Sequence, residues 1–275
     1  RQIVSDAHQL ESTSLCVTFE KHPATVIAPE RAPALIQTLP QRLGAIEALG
    51  VEAALVLPFD EAMSQIPAEA FIQGLFVDLG RINSICVGAH FAFGHRRAGN
   101  VELLQQLGGE MNFVVHSLAS VSLDGEPVSS TRIRAAIAEG QLDAVGQMLG
   151  REYALSGKVI EGDQRGRELG FPTANLAVDG LCLPPNGVYA AHAETATNAY
   201  RAAVNIGLRP TVAVAEPTLH VEAHLLDFEG DLYGEVLTLT FVGKLRDEKP
   251  FDSLDALKAQ IEKDIVQARY LFTQL

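Results

Sequence analysis

The apolar positions change period as the chain is read from its N-terminus. Residues 14–19 (SLCVTF) form a short β-type run. Leu35, Leu39, Leu43, Ile46 and Leu49 then recur at spacings of four or three, which predicts a helix. Residues 53–57 (AALVL) read as a buried strand closed by Pro58, and Pro67 opens a helix with Phe71, Leu75, Phe76 and Leu79 on one face. Residues 85–88 are strand again, Asn100 caps a helix carrying Val101, Leu104 and Leu107, and residues 113–115 are the next strand. Ser129 or Ser130 caps a closing helix that breaks near Gly140 and reaches Leu149. Strand and helix in alternation predict βαβ units and a parallel sheet. Ligands of such sheets sit at the carboxyl ends of strands, here the loops after Phe19 and Gly88.

After Gly150 the grammar changes. Residues 154–160, 187–192, 200–206, 219–226 and 236–241 are β-type runs separated by Gly, Pro, Asn and Asp. No helical period interrupts them until Ser253, which caps residues 254–272 with Leu257, Ile261, Ile265 and Ala268 facing inward. This predicts an antiparallel barrel or sandwich with a terminal helix. The expected domains are therefore 1–149 and 150–275, consistent with two domains of ~150 residues each.

Composition narrows the function classes. The net charge of −13 repels phosphate backbones and anionic bilayers, which argues against nucleic-acid or membrane partners. No apolar run approaches the roughly 20 residues that span a bilayer. Cys16, Cys86 and Cys182 are odd in number and far apart, so neither a disulfide framework nor a zinc knuckle is readable, and a reducing cytoplasm is expected.

Two stretches carry candidate chemistry. In GDQRGRELGFPTAN (residues 162–175), Gly162, Gly166 and Gly170 allow consecutive amides to form an anion-binding nest, and Arg165 and Arg167 add planar donors. Thr173 and Asn175 offer neutral oxygens suited to a hard cation such as Mg²⁺. A solvated turn-rich loop is the competing reading. In TLHVEAHLL (residues 218–226), a period of two puts His220, Glu222 and His224 on one face. A metal strand is disfavoured, because His220 and His224 would be ~13 Å apart along a strand. A general base at Glu222 and a plain solvated face remain open. In the first half, His22 follows a strand, and Ser130, Thr131, Arg132 and Arg134 begin a helix whose free amides and arginines suit an anion.

These patches occur together, in order, in one family. The chain resembles the prokaryotic bifunctional riboflavin kinase/FMN adenylyltransferases over nearly its whole length. The matching stretches are FEKHP, VGAHFAFGHRRAG, VSSTRIR, LSGKVIEGDQRGRELGFPTANL, NGVYA, VNIGLRPT, VEAHLLDFEGDLYG and KLRDEKPFDSLDALKAQIEKDI. The resemblance implies a nucleotidyltransferase-like (Rossmann-like) α/β domain followed by a six-stranded antiparallel flavokinase barrel with a C-terminal helix. It implies ATP, riboflavin and FMN as substrates, FAD as a product, and Mg²⁺ bound with ATP at Thr173 and Asn175. Glu222 matches the catalytic base, the 162–170 loop the fold over ATP, and Arg246 with the 226–233 loop (Asp227, Phe228) the contacts to flavin. His22, Ser130, Thr131, Arg132 and Arg134 match the adenylyltransferase site.

The chain departs from the pattern in two places. The family's Gly-Asn-Phe-Asp-Gly-Val-His-x-Gly-His stretch has no counterpart, so a segment upstream of Arg1 is expected, and His90 stands where Asn or Asp is usual. The alternatives are a monofunctional riboflavin kinase with a degenerate first domain, or a flavin or nucleotide binder without turnover. Nothing in the pattern specifies an oligomeric state.

Overall fold

A computed structural model describes residues 1–162, 164–209 and 218–274, with the side chains of Arg165, Arg209 and Thr218 outside that description. Asp163 of the glycine-rich stretch, and Pro210 and Thr211 of VNIGLRPT, lie outside the described residues. The chain forms two compact units, Arg1–Val128 and Ser129–Leu275.

The first unit runs α1 (Gln2–Gln9), β1 (Leu15–Phe19), α2 (Ala24–Ile27), α3 (Leu39–Glu47), β2 (Ala53–Leu57), α4 (Glu61–Ser64), α5 (Ala68–Leu79), β3 (Ser84–Gly88), α6 (Val101–Met111) and β4 (Val114–Leu118). A two-residue hairpin, β5 (Ser122–Leu123) and β6 (Glu126–Pro127), ends it. The pairing is parallel, as the alternation predicts: β1 lies beside β2 and β3 beside β4. Asn100 caps α6 by accepting from the Leu103 amide at 2.9 Å, and Ile72, Leu104, Leu107 and Phe113 form the core between α5, α6 and β4. A buried carboxylate docks α1. Asp6, 7% exposed, accepts from Ser84 Oγ at 3.3 Å on β3 and meets His116 Nε2 at 3.1 Å on β4.

The second unit begins about twenty residues before the boundary read from the sequence, with α7 (Ser130–Ala138) and α8 (Leu142–Leu149). Ser129 is the cap, accepting from the Arg132 amide at 3.2 Å. The break lies at Gly140, in the left-handed region at φ +75°. These helices group with the barrel because their contacts are there: the Cys182 thiol meets the Arg134 carbonyl at 3.7 Å, and Pro185 packs against Gly140. The helical period over residues 130–149 is local and carries no record of which core it covers.

The rest comprises β7 (Ala154–Ile160), a four-residue helical turn α9 (Arg165–Glu168), β8 (Ala174–Leu176), β9 (Gly187–Glu194), β10 (Ala199–Arg209), β11 (Thr218–Leu225), β12 (Val236–Arg246) and α10 (Leu254–Phe272). Six strands close an antiparallel barrel in the order β10-β11-β8-β7-β12-β9. Its interior is filled by alternating residues such as Leu155, Val204, Ile206, Val221, Leu237 and Leu239, each almost inaccessible. Five of the six strands match the runs read from the sequence. The sixth, β8, is the Ala174–Leu176 segment inside the FPTANL stretch, and it seams β7 to β11. Too short and too polar to show a period, it is defined by the two neighbours that pair with it.

Candidate active site

Closing the barrel through β8 gathers the residues that the sequence scattered. Glu222 on β11 stands directly opposite Asn175 on β8 and opposite Asn205 on β10. Facing residues of antiparallel strands point to the same side, with Cα atoms roughly 4.5–5.5 Å apart. An Asn-Glu-Asn row therefore crosses the outer face of the barrel. Asn175 is only 8% exposed. Asn205 carried no signal by itself, and register alone places it beside Glu222.

The segment before β8 is tied to the same face. Thr173 Oγ1 donates to Glu222 Oε2 at 3.3 Å, and His224 Nδ1 donates to the Pro172 carbonyl at 2.8 Å. The His224 ring also meets Phe171 edge-on, with centroids 5.9 Å apart. His224 is thus a brace for the Pro172–Thr173 turn. Among the described residues, no group of three or more His, Cys, Asp or Glu side chains is placed to hold a metal ion.

The glycine-rich stretch differs from an open nest. The Arg167 amide donates to the Gln164 carbonyl at 3.0 Å, Gly170 to Arg167 at 3.1 Å and Phe171 to Gly166 at 2.7 Å, so these amides are engaged inside the α9 turn. The glycines serve close approach instead. A Cβ on Gly162 would lie 2.3 Å from the Asn175 amide, and one on Gly166 would lie 2.4 Å from the Phe171 carbonyl. Gly170 turns the chain at φ +89°. The stretch is a tight cover seated on Asn175 and Thr173, with Arg167 solvent-exposed.

Beneath that cover lies a cavity of about 260 Å³. Its walls are Val159, Ala223 and Leu225 from the barrel, Gln164 and Arg167 from the cover, Thr173, and Phe228 to Tyr233 from the loop after β11. Glu222 points to the opposite side of β11 from Ala223 and Leu225, and Thr173 is the residue that both lines the cavity and touches Glu222.

Two residues expected at flavin, Arg246 and Asp227, form two-armed ion pairs with α10. Arg246 forms a two-armed pair with Asp264 of α10, Nε to Oδ1 at 2.9 Å and Nη2 to Oδ2 at 2.8 Å, and donates Nη1 to the Asp247 carbonyl. Asp227 accepts both arms of Arg269 at 2.6 and 2.7 Å, and this pairing holds its carboxyl below the usual range. Both are clamps between the barrel and the terminal helix. Phe228, by contrast, lines the cavity beside Arg167 and Thr173.

In the first unit, His22 follows β1, and its Nδ1 accepts from the Ala24 amide at 3.1 Å, which starts α2. Arg42 of α3 donates to the Phe19 carbonyl and supports the same loop. Ser130, Thr131, Arg132 and Arg134 occupy the first turns of α7 in the second unit.

Comparison with known proteins identifies both halves of the chain. The riboflavin kinase family profile matches residues 149–272, and the FAD synthetase profile matches residues 1–132. The bifunctional riboflavin kinase/FMN adenylyltransferase of Pseudomonas fluorescens is 38% identical over 265 residues, covering 96% of this chain and 85% of that protein. The protein of the same description from Escherichia coli (strain K12) is 38% identical over 259 residues, covering 94% and 82%. A crystal structure described as a macrolide-efflux protein from Streptococcus pneumoniae superimposes with a TM-score of 0.80 at 28% identity, covering 96% of this chain and 86% of that one. None of the described helices is long and apolar enough to cross a membrane. With a flavokinase barrel behind an FAD synthetase domain, and relatives alike along nearly the full chain, the protein belongs to the bifunctional riboflavin kinase/FMN adenylyltransferase family.

Proposed function

We propose that the nucleotide of the riboflavin kinase reaction occupies the cavity under the 162–170 cover, with its terminal phosphate at Thr173 and the flavin's 5'-hydroxyl at Glu222. The observation that carries this is the position of Thr173, shared between the cavity wall and the Glu222 carboxylate. Adenosine on the apolar barrel side, Arg167 near the phosphates and a carboxylate just past their end is the order an in-line transfer requires. Glu222 accepts the proton of the 5'-hydroxyl while that oxygen bonds to the γ-phosphorus. The bond from the γ-phosphorus to the bridging oxygen breaks, and ADP leaves.

The residues fit Mg²⁺. Thr173, Asn175 and Glu222 supply hard oxygen donors, and Gly162 leaves no Cβ where the Asn175 amide must sit. Mg²⁺ binds through one or two protein oxygens plus phosphates, so it would arrive with ATP and neutralise charge on the transferring group. Thr173 and Asn175 would hold it.

Thr173→Ala and Asn175→Ala are expected to raise KM for MgATP and lower kcat/KM by ~10–100-fold, with KM for riboflavin little changed, because each removes an oxygen from the metal–phosphate side. Steady-state assays with riboflavin, ATP and Mg²⁺ measure this. A rise confined to the riboflavin KM would place the nucleotide elsewhere. A binder without turnover would release no ADP in the same assay.

For adenylyl transfer, we infer His22, at the carboxyl end of β1 in the first unit, as a phosphate contact; the Ser130–Arg134 turn of α7, in the second unit, is a separate anion-binding candidate. Three free thiols and an ATP-dependent reaction support a cytoplasmic setting.

A further inference from the structure

The loop that walls one side of the cavity is held from a distance. It leaves β11 through Leu226, whose amide donates to the Arg201 carbonyl at 2.7 Å. Asp227 then turns the chain in the left-handed region, at φ +61°, a conformation uncommon outside glycine that Asp tolerates better than most residues. Phe228 follows, its ring edge-on to Tyr200 at 5.1 Å, and the next five residues line the cavity. At this turn the carboxylate lies in the fork of Arg269, a residue forty-two positions downstream on α10. Both arms are made, Nη1 to Oδ2 at 2.7 Å and Nη2 to Oδ1 at 2.6 Å. A two-armed pair fixes the plane of the carboxylate as well as its place, which a single contact does not.

We propose that Arg269 is a positioning residue for nucleotide binding: it touches no substrate, and through Asp227 it holds the 228–233 wall in the shape that receives ATP. This rests on the reading of the cavity as the nucleotide site. Without the fork, the backbone at Asp227 relaxes toward ordinary φ values and the wall is in place for only part of the time. Apparent affinity then falls by the fraction of competent molecules. The wall meets the nucleotide alike before and during transfer, so the loss appears in KM and leaves kcat unchanged. Arg201 and His224 also lie near Asp227, and neither is placed as a second fork on it.

The test uses the full chain, with MgADP binding by calorimetry and the kinase assay in parallel. Arg269→Ala should raise the MgADP Kd and the MgATP KM about tenfold, with kcat and the riboflavin KM within about twofold. Arg269→Lys keeps the charge without the fork and should fall between. Exchanging the partners, Asp227→Arg with Arg269→Asp, should recover most of the loss that either single exchange causes. Melting curves should barely move, because an exposed ion pair adds little stability. The proposal falls if Arg269→Ala leaves the MgATP KM at the parent value while Thr173→Ala raises it. It falls equally if kcat drops at constant KM, or if the double exchange is no better than the singles. Should neither Arg269→Ala nor Thr173→Ala move nucleotide affinity, the reading of the cavity fails and the proposal with it.

Discussion

Glu222→Gln should lower kcat for riboflavin phosphorylation by ~10²–10⁴-fold while flavin and MgADP still bind. A ribityl hydroxyl is a poor nucleophile at neutral pH, and in the proposed arrangement the Glu222 carboxylate, which accepts from the cavity-lining Thr173, takes its proton. Gln keeps the size, the polarity and an oxygen that can accept from Thr173 Oγ1, now at 3.3 Å from the carboxylate. The fold should therefore persist, with an unchanged melting temperature and circular dichroism. Single-turnover measurements separate the outcomes. A slowed chemical step with intact binding supports a base, whereas weakened MgATP binding with normal chemistry would make Glu222 a metal ligand only. Turnover near the parent rate would remove it from the mechanism.

Asp264→Ala should produce the opposite signature, a large loss of stability. Asp264 is 3% exposed and lies in the inward row of α10, among Ile261, Ile265 and Ala268. Its carboxylate takes two arms of Arg246 and a further donor from Gln260 at 2.8 Å. Removing it strands a largely buried guanidinium against the helix, at a cost of about 3–5 kcal/mol. For a unit of this size that lowers the melting temperature by roughly 6–20 °C. Replacing both partners with leucine should recover much of the loss, because the charge and its counter-charge leave together. Arg246→Ala distinguishes the clamp from a flavin contact: a clamp loses melting temperature first, a contact loses riboflavin affinity at constant melting temperature.

Much of the architecture was legible in the chain. Strands β1 to β4, the helices α3, α5 and α6 and five barrel strands follow from apolar spacing and caps, whereas the short helices α2 and α4 were not read. The caps at Asn100, Ser129 and Ser253 form bonds to amides three residues away, at 2.9–3.2 Å. These are local properties, decided within a turn of helix or a run of strand, so the order of residues contains them. The period-two pattern of β11 likewise put Glu222 on one face with His220 and His224, and the density of Gly, Thr and Asn marked residues 162–175 as a place of chemistry.

Partnership was decided only in three dimensions. Nothing along the sequence shows that Ala174–Leu176 would become the seam between β7 and β11, or that Asn205 would face Glu222 across a ladder. Some amides of the glycine-rich stretch, free to bind an anion on paper, are used internally: those of Arg167, Gly170 and Phe171 donate to carbonyls of the same stretch. Arg246 and Asp227, assigned to flavin by the resemblance, are claimed by Asp264 and Arg269 on a helix that the pattern predicted but could not dock. Helices α7 and α8 were read correctly as helices, and their packing with the barrel unit was not legible in the pattern. The physical reason is the same throughout. Period and capping are set by neighbours within about four residues, whereas the partner of a charged side chain or an edge strand is whichever group the closed barrel brings within 3 Å, and that depends on every other element being in place.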